Sequence, residues 1–79
     1  MPTYSFEEEV DALATAGLLT ERQARAYVHR EVELTPRRAA AEDMGITVST
    51  LDDYRREAVG KVETAEATAE ALDTIRNQV

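Results

Sequence analysis

The stretch Leu34-Thr35-Pro36-Arg37-Arg38-Ala39-Ala40-Ala41-Glu42-Asp43-Met44-Gly45-Ile46-Thr47-Val48-Ser49-Thr50-Leu51 constrains the fold more than any other part of the chain. Thr35 suits a helix cap, and Pro36 suits the first helical position, where its missing N–H would be unpaired anyway. Gly45 can end that helix in left-handed geometry, and Thr47 at once supplies a new cap. One helix is therefore predicted over 35–44 and another from 47 onward, meeting across a turn of about three residues. Ala39, Ala40 and Ala41 keep the first of them slim, so that its neighbour can approach closely.

The flanking segments also read as helices. Ser5 with Glu8 is a capping-box pattern, Phe6, Val10, Leu13 and Ala14 recur at helical spacing, and Gly17 is a stop, which predicts a helix over 6–16. Thr20 with Gln23 repeats the pattern, with Leu19 placed to staple against Ala24, and predicts a helix over 20–32. There Ala24, Tyr27, Val28 and Val32 form the inward stripe, and Arg22, Arg25 and Arg30 look outward. His29 is expected to be a solvated helix residue, since no nucleophile or ligand cluster accompanies it. After Thr47, the residues Leu51, Tyr54, Ala58 and Val62 share one face and are expected to be buried. With no proline or further glycine after Gly60, that helix is predicted over 47–76, and Gly60 inside it costs about 1 kcal/mol relative to alanine, marking a bend or a close contact. The expectation is a single all-α domain, 1–79, of four helices, without a β-wing and with a long C-terminal helix.

A chain of 79 residues buries a small core, and having no cysteine and one histidine it gains neither disulfides nor a thiolate metal site. Self-association is the remaining support. Val62, Ala65, Ala69, Leu72 and Val79 fit a heptad seam interrupted by Arg76, with Ile75 as the alternative contact, so a homodimer helix is expected. The competing reading folds the same helix onto Phe6, Val10 and Leu13 within one subunit. No apolar run approaches the roughly 20 residues that span a bilayer, and Met-Pro-Thr-Tyr-Ser-Phe-Glu lacks the order of a signal peptide, so a cytoplasmic protein without a membrane partner is expected. No glycine-rich phosphate loop, cysteine nucleophile or metal-spaced cluster occurs, so neither an enzyme nor a cofactor or metal is expected. Glu7, Glu8 and Glu9 are explained by the positive end of a helix dipole.

The formal net charge is −7, which by itself argues against a polyanionic partner. Its distribution alters that inference. Residues 1–20 carry four acidic groups and no basic one, whereas residues 21–61 hold eight of the nine basic residues against eight acidic ones. The middle of the chain is therefore neutral, and the acidity lies at its ends. Eight of the nine basic residues are arginine, and large aromatics are scarce. This composition resembles that of high-salt-adapted archaeal proteins, whose surface carboxylates keep the chain hydrated. An ordinary acidic helical protein is the alternative. In a halophilic setting, phosphate attraction is already heavily screened.

Leu19-Thr20-x-Arg22 and Ala41-x-x-Met44-Gly45-Ile46-Thr47-x-x-Thr50-Leu51 resemble the LuxR-type and sigma-factor region-four-type helix-turn-helix. The resemblance covers about residues 19–61. It implies a helix-turn-helix in which alanine permits close helix contact, glycine makes the turn, and the following apolar residues pin a recognition helix.

By that resemblance Val48, Ser49, Asp52, Asp53 and Arg56 occupy the groove-facing surface. Ser49 and Thr50 are candidates for phosphate or base edges, Arg56 for phosphate or guanine, and a carboxylate for cytosine N4. Arg55 lies near the core edge, and Arg37 and Arg38 are either phosphate contacts or ordinary solvated residues. Asp52 and Asp53 stand where many relatives have basic or neutral residues. Pairing of Asp52 with Arg55 or Arg56, and of Asp53 with Arg56, would partly cancel their repulsion of DNA. The expected function is a homodimeric, sequence-specific DNA-binding transcription regulator, with double-stranded DNA, a second copy and another transcription protein as candidate partners. The alternative is a protein-interaction module on the same scaffold that does not bind DNA.

Overall fold

A computed structural model describes residues 3–78, which form four α-helices, one π-helical turn and, among the described residues, no strand. Helix α1 spans Phe6–Thr15, α2 Glu21–Tyr27, α3 Arg37–Met44 and α4 Val48–Arg76. Reciprocal caps start the first two helices. The Glu8 N–H donates to Ser5 Oγ at 3.2 Å while the Ser5 N–H donates to Glu8 Oε1 at 2.9 Å, and Thr20 and Gln23 make the same exchange at 3.1 Å in each direction. Gln23 is itself buried and also joins α2 to α4, donating to Glu57 Oε2 at 3.2 Å and accepting from Lys61 Nζ at 2.8 Å.

Helix α2 lies between two small cores. On one side Val10, Leu19, Ala24, Val28 and Ala58 are buried, with Phe6, Leu13, Ala14, Tyr27 and Val62 around them. On the other, Ala26, Ala40, Ala41 and Leu51 are buried beneath Met44, Ile46, Val48 and Tyr54. Five of the nine buried apolar residues are alanine, so the helices are held by close approach, and Leu51 and Val28 are the largest side chains fully enclosed.

The connection from α3 to α4 is made by Gly45, Ile46 and Thr47. Gly45 adopts φ +67°, and its N–H donates to the Glu42 carbonyl at 3.1 Å while the Ile46 N–H reaches the Ala41 carbonyl at 3.0 Å. This is a Schellman closure, which pairs carbonyls that the end of α3 would otherwise leave free. The Thr47 hydroxyl then accepts from the Thr50 N–H at 3.1 Å and starts α4.

The helix predicted over 20–32 departs from that reading after Tyr27. Val28–Val32 form a π-helical turn, in which the Glu33 N–H reaches back to the Val28 carbonyl at 2.8 Å. The wider turn changes the phase of the side chains. Val32, expected inward, is 47% exposed, whereas His29, expected in solvent, is 7% exposed. The His29 Nε2 lies 2.8 Å from Asp43 Oδ2, its Nδ1 lies 3.0 Å from Thr35 Oγ1, and its ring centroid lies 4.4 Å from that of Phe6. One imidazole thus joins α1, the π turn, the following loop and α3.

Thr35 consequently does not cap α3. Its hydroxyl meets His29, its N–H donates to the His29 carbonyl at 2.6 Å, and Pro36 stands at the cap position without a side-chain hydrogen bond. Leu34, with φ +56°, turns the chain at the cost of a conformation that side chains with a Cβ rarely adopt. Arg25, expected outward, lies across the interface between α1 and α2. It holds Glu7 through two hydrogen bonds of 2.8 Å, reaches Glu21, and covers the Phe6 ring at 5.5 Å.

Helix α4 outruns the core. Val62 packs against the first core, but residues 63–78 are all exposed, so the distal half of α4 does not fold back on α1. Val79 of the expected seam lies outside the described residues. Among the described residues no helix is long and apolar enough to cross a membrane.

Leu51 is the test of this packing. Leu51→Ala is expected to lower the unfolding free energy by about 2–5 kcal/mol in urea titrations followed by helicity. A change close to zero would contradict the arrangement of the second core.

Candidate nucleic-acid interface

Val48, Ser49 and Thr50 form the first turn of α4, and they divide by environment. Ser49 is exposed, Val48 is half-buried over the second core, and the Thr50 hydroxyl accepts from the Thr47 hydroxyl at 3.0 Å. Of these three, Ser49 offers a free polar tip. Neither α3 nor α4 carries an acidic residue in its first turn. The positive ends of both helix dipoles are therefore locally uncompensated.

The carboxylates expected to oppose DNA are engaged, though not all as the spacing along α4 implies. Asp52 pairs across to α3, accepting from the Arg37 Nε at 3.2 Å and also from the Arg37 Nη2. It pairs with neither Arg55 nor Arg56. Arg55 instead turns to Glu31 at 2.9 Å, and Asp53 takes Arg56 at 3.1 Å. Arg38 is exposed and has no carboxylate within ion-pair distance among the described residues.

The Arg37 guanidinium holds the Asp52 carboxyl below its ordinary range, and Asp52 in turn raises the Arg37 pKa. Both groups border solvent, so a phosphate can compete for Arg37 without first opening a buried pair. The same holds for Arg56, whose side chain is 74% exposed. Arg37 and Asp52 join the front of α3 to the second turn of α4, Arg38 lies in the first turn of α3 and Ser49 in the first turn of α4, and Asp53 is paired with Arg56 along α4. Arg55 faces away, toward the π turn.

The expected dimer seam divides in the same manner. Val62 belongs to the first core, whereas Ala65, Ala69 and Leu72 line an open groove of about 880 Å3 and Ile75 stands 59% exposed beyond it. Leu18, from the loop between α1 and α2, forms the other wall of that groove. Sequence reasoning passed over Leu18 because it falls between helices and has no periodicity to place it. It also passed over the His29–Asp43 link, which depends on a π turn that no residue pattern announces.

Comparison with protein-family models, curated proteins and solved structures finds no match for this chain.

The Asp52 shift has a sign that can be checked. A carboxyl with a depressed folded pKa stabilises the fold above its unfolded pKa and loses that contribution as pH falls through the folded value. In a carboxyl-detected NMR titration, Asp52 is expected to protonate below the usual aspartate range and to return toward it in Arg37→Gln. Identical curves in the two proteins would contradict the assigned pairing.

Proposed function

We propose that this chain is a helix-turn-helix DNA-binding transcription regulator, lacking a wing, that acts in the cytoplasm as a homodimer. The observation that carries the proposal is the joint between α3 and α4. A three-residue connection closed by Gly45 packs them through Ala40, Ala41 and Leu51 and leaves both positive helix ends beside Arg37, Arg38 and Ser49. Such a surface offers dipoles and guanidinium groups to phosphates and a hydroxyl to a base edge or phosphate.

In this reading Asp52 and Asp53 govern selectivity. Each carboxylate holds an arginine until a phosphate displaces it, and each repels duplexes that offer it no donor such as cytosine N4. The high acidic content suits a saline interior, where a weak nonspecific attraction is screened and base contacts decide the target.

A second reading is favoured by one specific observation: Arg37 and Arg56 each already hold a carboxylate. A face neutralised in this way also suits a protein partner, such as another transcription protein. Selection from random duplex DNA over a range of salt concentrations separates the two. The regulator is expected to enrich a two-part motif with half-sites about 34 Å apart. Asp52→Asn combined with Asp53→Asn is expected to raise nonspecific affinity while erasing discrimination between sites. A folded dimer that enriches no sequence at any salt concentration would support the protein-interaction module instead.

A further inference from the structure

The distal half of α4 lacks a partner in its own chain. Its 29 residues run from the second core, past the first, and on to Arg76 with every side chain after Val62 exposed. A helix tail of that length is marginal in water without packing. The groove beside it is built from Leu18 and the α4 face of Gly60, Thr64, Ala65, Thr68 and Leu72.

Gly60 is the most informative of these residues. A Cβ placed there would meet nothing within 4 Å, and α4 continues through the position without interruption. Glycine in a helix interior costs about 1 kcal/mol relative to alanine, and no contact in this chain requires it. What its missing side chain does is deepen the groove, together with two threonines and two alanines that are also short. Small residues along a helix face allow a second helix to approach closely.

We infer that this groove receives the distal half of α4 from a second copy of the chain, the two α4 helices crossing antiparallel about a two-fold axis near Thr64. The groove runs from Arg56 to Leu72 along α4, so Thr64 lies at its middle. In that register the Leu72 side chain of each copy enters the partner's groove at its Arg56 end.

Charge selects the antiparallel sense. Residues 62–79 carry Glu63, Glu66, Glu70 and Asp73 against one arginine, whereas residues 55–61 carry Arg55, Arg56 and Lys61 against Glu57. Antiparallel pairing sets the groove-lining Arg56 and Lys61 opposite positions 72 and 67, beside Asp73, Glu70 and Glu66 of the acidic half. Parallel pairing sets acid against acid and aligns the helix dipoles unfavourably.

The inference deepens the self-association in the proposed function and does not depend on DNA binding. At about 1.5 Å per residue, the pairing places the two Asp52 positions on the order of 36 Å apart along the helices, close to one turn of duplex.

The chain has no cysteine, so single substitutions report the register directly. Full-length Thr64→Cys, oxidised without DNA present, is expected to form a disulfide-linked dimer nearly completely. Ile75→Cys should remain mostly uncrosslinked, because its two copies lie at opposite ends of the pair. Gly60→Leu is expected to weaken dimerisation at least tenfold by light scattering, with helicity by circular dichroism unchanged or higher.

Crosslinking of Ile75→Cys as efficiently as Thr64→Cys would overturn the antiparallel sense. A wild-type mass that stays at 8.8 kDa at high micromolar concentration, or a Gly60→Leu dimer as tight as wild type, would overturn the groove as its site. Neither outcome bears on whether α3 and α4 bind DNA, and a failure to bind DNA leaves these readouts unchanged.

Discussion

The enclosure of Leu51 by Ala26, Ala40 and Ala41 is the contact on which the rest of the structure depends. It brings α2, α3 and the start of α4 to one point, and it does so because three of the four residues are alanines, which let helix backbones come close. The Gly45 turn then needs to span almost nothing. With Ile46 and Val48 packed on the same cluster, the exit from α3 and the entry to α4 are fixed together, and the exposed faces of both helices keep a set relation. The His29 ring supports this arrangement from the far side by tying Asp43 of α3 to the Thr35 loop and to Phe6 of α1.

That rigid joint gives the surface charges their meaning. Asp52 reaches Arg37 only because the front of α3 is held beside the first turns of α4. Asp53 and Arg56, three residues apart on one helix, would pair in any helical context. The face is consequently poised rather than strongly basic: its arginines are present and exposed, but most must exchange a carboxylate for any new partner. Arg38 stands outside that balance among the described residues.

Much of the fold was legible in the sequence where local chemistry decides structure. Ser5 with Glu8, Thr20 with Gln23, Gly45 and Thr47 each signal a helix end through side-chain or backbone hydrogen bonds, and the helices begin or end within a residue or two of them. The π turn at Val28–Val32 was not legible, since its wider hydrogen bonding arises from tertiary packing, and with it went the positions of His29, Val32 and Thr35. Of the candidate site, the placing of Arg37 and Arg38 at the start of α3 and of Ser49 at the start of α4 follows from the helix-end signals. The pairing between Arg37 and Asp52 does not, because helical spacing treats each helix alone and points Asp52 to Arg55 or Arg56.

The claim that the joint of α3 and α4 meets nucleic acid is tested most directly by backbone amide NMR of the labelled protein titrated with a duplex oligonucleotide. The account predicts shift changes concentrated at Arg37, Arg38, Ser49, Asp52, Asp53 and Arg56, reversing as salt is raised. Changes confined to the groove along α4, or none at any salt concentration, would contradict it.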